Sequence, residues 1–133
     1  MHLCIDAADD RPGIALARDG QVIAQHVWET KRNHSVELLP NVDRLIADAG
    51  ATKGALGAVF VDIGPGGYAA LRVGVSVAKA IAHGLAIPIA GIGRLELDAR
   101  LAGAAEGRRV VAVHRAGRGE YAWAAYARRD GAW

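Results

Sequence analysis

Two features of this 133-residue chain have the residue types and spacing for chemistry: Asp6, which ends an apolar run, and the turn Gly64-Pro65-Gly66-Gly67. A strand-end aspartate is the group with which nucleotide-dependent folds hold a metal-bound phosphate. A glycine turn between a strand and a helix presents backbone N–H groups at the positive end of the helix dipole, where anions bind. Asp6, Gly64, Gly66 and Gly67 are therefore the candidate nucleotide- or anion-binding set, and their neighbours weaken it. Ala7-Ala8 follow Asp6 where a hydroxyl or glycine would meet phosphate, so an aspartate that simply turns to solvent beside Asp9-Asp10 fits equally well. No acidic residue lies about twenty positions beyond the glycines to take a ribose. No Gly-Lys-Ser/Thr closes a P-loop, and Lys79 falls well inside the following helix.

The remaining reactive residue types form no constellation. His2, His26, His34, His83 and His114 lack metal-site spacing, and His34 reads as a surface residue beside a helix cap. Ser35 and Ser76 have no recognisable histidine–acid partners. Cys4, the single cysteine, sits in the first apolar run and reads as a small buried hydrophobe in a reducing compartment.

The elements that must position these residues follow from periodicity and turn chemistry. Residues 2–8, 13–18 and 21–28 read as strands, the last two joined by an Asp19-Gly20 hairpin turn. Asn33 or Ser35 can cap a helix that runs to about residue 49, where Gly50 stops it, and Pro40 predicts a kink or a later start. A strand at 56–63, a helix at 67–83, a short strand at 87–92 and a helix at 94–104 come next. Strands at 109–114 and 120–128 close the chain around a Gly117/Gly119 turn. The order β-β-β-α-β-α-β-α-β-β predicts an α/β protein with a mixed sheet covered by helices.

Composition is that of a globular domain, with 52% hydrophobic and 23% charged residues. Aromatics are only 5%, so the core must rest on Ala, Val, Leu and Ile. The net charge of +2 is mild. Arg108, Arg109, Arg115, Arg118, Arg128 and Arg129 cluster late and read as the solvated face of the last hairpin, without the aromatic interleaving of a nucleic-acid platform. No signal-peptide pattern and no apolar run of about 18 residues appears, which predicts a cytoplasmic protein with no membrane contact.

Two helices are too apolar for one core face. Val36, Leu38, Leu39, Val42, Leu45, Ile46 and Ala49 spread over about half the helix circumference, against a stripe of about 100° for one packed face. In the helix at 67–83, Arg72, Ser76, Lys79 and His83 form one narrow polar stripe and the rest is apolar or small. Both helices should therefore bury a second side against another subunit, unless the chain's own last helix and hairpin cover the second of them. Leu38, Val42, Leu45, Leu71, Arg72, Val75, Ala78 and Lys79 are the candidate interface residues.

Five stretches then match one family pattern in order and spacing. They are Leu3-Cys4-Ile5-Asp6, Asn33-His34-Ser35-Val36-Glu37-Leu38-Leu39-Pro40, Gly64-Pro65-Gly66-Gly67-Tyr68 through Leu71-Arg72-Val73-Gly74, Lys79-Ala80-Ile81-Ala82 and Ile89-Ala90-Gly91-Ile92. Together they resemble the TsaB (YeaZ) family, the dimerisation subunit of the bacterial complex that makes threonylcarbamoyladenosine at position 37 of tRNA. Glu120-Tyr121 resembles a further family element. The resemblance implies an actin-like/Hsp70-like ATPase (RNase H-like) first lobe with a mixed five-stranded sheet over residues 1–105, and a truncated second-lobe hairpin over 106–133. It implies a non-catalytic protein that pairs with a TsaD-like partner, with itself, or with both, through the two apolar helices. tRNA would be met only through the complex. No cofactor is implied, with ATP or ADP entering only at an interface with a partner. The absence of the paralogue's metal-binding histidine pair favours TsaB over TsaD.

The departures from the family concentrate at the chemical positions. Ala7-Ala8 replace Thr-Ser, Gly67-Tyr68-Ala69-Ala70 replace Ser-Phe-Thr-Gly, and His114 replaces an acidic residue. Hydroxyls that would touch phosphate are gone, while the interaction helices remain. Two alternatives stay open: a homodimeric interaction protein outside tRNA modification, and a small nucleotide-binding enzyme that uses Asp6 and the glycine turn.

Overall fold

In the computed structural model, which describes every residue except Ala104 and Arg118, alternating apolar residues build three antiparallel strands. They are β1 (His2–Asp6), β2 (Gly13–Arg18) and β3 (Gln21–Val27). Asp19 and Gly20 between β2 and β3 have φ of 51° and 77°, the positive values a two-residue hairpin turn requires. The chain continues through α1 (His34–Asp48), a single 3₁₀ turn (Lys53–Ala55), β4 (Ala58–Asp62), α2 (Tyr68–Leu85), β5 (Ile89–Ile92) and α3 (Arg94–Leu101). It ends in β6 (Arg109–Gly117) and β7 (Glu120–Ala127). The predicted helix at 94–104 thus ends at Leu101. Its last predicted residue, Ala104, and Arg118 of the basic cluster lie outside the described residues.

The first five strands form one sheet in the order β3-β2-β1-β4-β5, with β1, β4 and β5 parallel. Strands β6 and β7 form a separate antiparallel pair. Period-two alternation turns Leu3 and Ile5 of β1, Ile14 and Leu16 of β2, and Val59 and Val61 of β4 onto one core. Leu38, Val42, Leu45 and Ile46 of α1 meet them from above. Helix α2 approaches the sheet through Gly74, Ala78 and Ala82, a row of small residues four apart. A Cβ at Gly74 would lie 3.0 Å from the Ala7 methyl, so the helix is as close as a methyl-sized contact permits. This close approach is how a core poor in aromatics reaches native packing density.

The burial pattern corrects the expected interface. Leu38, Val42, Leu45 and Ala78 are 0%, 1%, 6% and 0% exposed, so they belong to the chain's own core and are not free side chains of an outer face. Leu71 and Val75 are half-buried, while Arg72 and Lys79 are exposed. Helical periodicity identifies an apolar arc but not the portion of it that the sheet and α2 consume. What the core leaves outside on α1 is Val36, 68% exposed, and Leu39, 45% exposed.

Helix α1 runs through Pro40 without interruption. Asn33 occupies its N-cap position, but the side chain makes no capping bond; the Asn33 carbonyl receives the Val36 and Glu37 N–H groups instead. Among the described residues no helix is long and apolar enough to cross a membrane.

The β6–β7 hairpin packs on α3 through the side that includes Ala112. Its other side exposes Val111, Val113, Tyr121 and Trp123. Register places Tyr121 opposite Arg115 and Trp123 opposite Val113. Aromatic and arginine side chains therefore share a face, contrary to the linear reading, because the strands bring together residues that the turn separates.

Candidate functional site

The parallel pairing of β1 with β4, in which Ile5 lies opposite Val61, brings Asp6 and Asp62 to the same end of the sheet. The Asp62 side chain is 1% exposed and that of Asp6 38%. A buried carboxylate needs a partner, because desolvating an isolated charge costs far more than a hydrogen bond returns. That partner is Arg94, the first residue of α3. Its Nη2 donates to Asp6 Oδ1, and its Nε stands 2.8 Å from Asp62 Oδ2. The second contact is a close ion pair without aligned hydrogen-bond geometry, which leaves both atoms outside the hydrogen-bond network.

The glycine turn is tied into the same cluster. The Gly64 N–H donates to Asp62 Oδ1 at 2.7 Å, and the Gly64 carbonyl accepts the Arg94 N–H at 2.8 Å. The Gly67 N–H donates to the Ala8 carbonyl at 2.7 Å, while the Ala8 N–H donates to Asp6 Oδ1 at 3.1 Å. A Cβ at Gly66 would lie 2.6 Å from the Ala8 carbonyl oxygen. The turn is thus folded down onto the end of β1, and its Gly64 and Gly67 amides are already occupied.

Two carboxylates share one guanidinium. Burial pushes the Asp6 pKa above the ordinary 3.8, against the opposing pull of the Ala8 N–H and Arg94. Burial also works against the Arg94 charge, but Asp6 and Asp62 outweigh it and leave that pKa raised. Because Asp6 is raised in the folded state, folding favours its protonated form. Stability from this group is full below pH 3.8 and is lost as pH rises through the folded pKa. Asp6→Asn should therefore melt at or above wild type at pH 7, with the difference vanishing below pH 3.8; thermal melts across pH read this directly.

Sequence reasoning singled out Asp6 and the glycines, and the structure brings them together with Asp62 and Arg94, which it missed. A lone carboxylate closing the buried run 58–62 was the available signal for Asp62. Nothing in linear spacing marks Arg94, 88 residues from Asp6. His34 is corrected as well. It is 6% exposed, and its Nε2 lies 2.8 Å from the Asp9 carbonyl, so it pins the β1–β2 loop to the start of α1. Cys4 is half-buried, and burial raises its thiol pKa, which suits an inert residue. With Phe60, Ile92 and Leu97 it lines a mostly apolar cavity of about 260 Å³ that Asp6 and Asp62 also border.

A second surface lies on the outside of α1 and α2. Ser35, Ala69, Arg72, Val73, Ser76 and Val77 line a shallow groove there. Tyr68, 76% exposed, stands at its end with the Arg72 guanidinium 5.5 Å from the ring centroid.

The sheet order β3-β2-β1-β4-β5, with α1 and α2 on one face and an aspartate ending β1, defines the actin-like, RNase H-like ATPase fold class. That class implies a nucleotide and a metal at the strand ends, and the residues here do not fit them. A guanidinium lies on the carboxylates, Ala7 and Ala8 carry no hydroxyl, and the glycine turn is packed onto Ala8.

The family profile for TsaD, tRNA N6-adenosine threonylcarbamoyltransferase, matches residues 21–132. The tRNA threonylcarbamoyladenosine biosynthesis protein TsaB of Bacillus subtilis is 40% identical over 94 residues, covering 71% of this chain and 41% of that protein. TsaB of Escherichia coli is 33% identical over 133 residues, covering 98% of this chain and 57% of its own length. The solved structure of YeaZ from Pseudomonas aeruginosa superposes with a TM-score of 0.84 at 27% identity, covering 98% of this chain and 62% of that one. The chain belongs to the TsaB/YeaZ family. It spans 41% and 57% of the lengths of these two TsaB relatives.

Proposed function

We propose that the chain is a non-catalytic TsaB-like partner protein in the synthesis of threonylcarbamoyladenosine at position 37 of tRNA. It docks through the outer face of α1 and α2 onto a TsaD-like protein. The observation that carries this reading is the face itself. Val36, Leu39 and Tyr68 are 68%, 45% and 76% exposed on the two helices that form a groove of Ala69, Val73 and Val77 with Ser35, Ser76 and Arg72. Contiguous exposed apolar side chains of this kind mark contact surfaces. The names of the TsaB relatives support the pathway, and the arginine-closed carboxylates support a role without catalysis.

Within this reading, residues 1–105 act as the interaction lobe and 106–133 belong to a second unit, in keeping with the separate β6–β7 sheet. tRNA is met through the assembled complex in the cytoplasm. Expression of the chain in a bacterial strain depleted of TsaB should restore threonylcarbamoyladenosine in digested tRNA, as read by mass spectrometry. Persistent depletion, with the chain present at the level of native TsaB, contradicts the proposal.

A further inference from the structure

We propose that Arg94 is a built-in cation that takes the position a divalent metal would hold between Asp6 and Asp62, closing the strand ends to metal and joining α3 to the sheet. This inference is independent of the docking role.

Two carboxylates on adjacent parallel strand ends offer oxygen ligands of the kind that suit a hard cation such as Mg²⁺ or Mn²⁺. Here the positive charge comes from the chain. The guanidinium contacts one oxygen of each carboxylate, and its side chain is only 15% exposed. The Arg94 N–H is held by the Gly64 carbonyl at 2.8 Å, so backbone and side chain are fixed together. One residue thus engages the end of β1, the end of β4 and the glycine turn. It also opens α3, the helix against which the β6–β7 hairpin packs. A metal would have to displace a partly buried cation and then sit beside its charge. The pocket is closed by charge rather than by bulk.

The test is a Mn²⁺ titration followed by electron paramagnetic resonance, with thermal melts in parallel. Arg94→Ala should bind Mn²⁺ at least tenfold more tightly than wild type, and the gain should disappear in Arg94→Ala/Asp62→Asn. Mn²⁺ should raise the melting temperature of Arg94→Ala and leave wild type unmoved. If Arg94→Ala is unfolded as purified, added Mn²⁺ should restore its circular dichroism, and the charge-neutral Arg94→Met/Asp62→Asn should fold without metal. Wild type binding Mn²⁺ as tightly as Arg94→Ala, with loss in Asp62→Asn, overturns the proposal. So does an Arg94→Ala protein that gains neither Mn²⁺ affinity nor structure.

Discussion

Replacing Gly66 with alanine should destabilise the protein by about 3 kcal/mol, the upper end of the usual cost of overpacking. The added methyl would lie 2.6 Å from the Ala8 carbonyl oxygen, 2.7 Å from its Cβ and 3.1 Å from its Cα. None of these atoms is the tip of a flexible side chain, so the turn must lift from β1. Lifting it breaks the 2.7 Å bond from the Gly67 N–H to the Ala8 carbonyl and disturbs the Gly64 contacts with Asp62 and Arg94. For a domain of this size the loss corresponds to roughly 10 °C in melting temperature. Gly84→Ala is the control. Nothing lies within 4 Å of a Cβ there, and the residue is helical, so the melt should stay at or rise above wild type. If Gly66→Ala melts with Gly84→Ala, the turn is not seated on Ala8 as described.

The second large effect separates two adjacent leucines on α1. Leu38 is 0% exposed and Leu39 is 45% exposed. Leu38→Ala should cost about 2–5 kcal/mol, the range for deleting a buried leucine side chain. Leu38→Asp adds an unpaired buried carboxylate. Against a total stability of about 5–15 kcal/mol, that leaves much of the protein unfolded. Leu39→Asp removes no core contact and should change stability by no more than about 0.5 kcal/mol. Chemical denaturation of the three variants distinguishes them. An interface test built on Leu38 would therefore report unfolding, and only Leu39 or Val36 tests docking.

The element order was legible because each signal was local. Alternation over residues 2–6 and 13–18, the Asp19-Gly20 pair and the glycines flanking the helices each act within a few residues. The five-stranded mixed sheet followed from the resemblance rather than from periodicity, and its strand order became visible only in the structure. The partition of the α1 apolar arc was not legible, since hydrophobicity says a residue leaves water but not which neighbour covers it. Nor was the carboxylate–arginine cluster, because its members come from three elements and only the parallel register of β1 with β4 makes Asp6 and Asp62 neighbours. The glycine turn offered an anion cradle, which its neighbours already weakened, for a related reason. Glycine is required equally where a phosphate approaches backbone and where another strand end does. The 2.6 Å clash with Ala8 identifies the second cause.

Docking of a TsaD-like partner on the outer face of α1 and α2 can be read from the mass of the purified mixture. The chain and the TsaD-like protein of the same organism should co-elute with the light-scattering mass of a one-to-one complex. Leu39→Asp combined with Ala69→Arg, both at exposed positions, should resolve into separate species with unchanged circular dichroism. A wild-type mixture that stays separate, or a folded double variant that co-elutes with wild-type mass, contradicts the account.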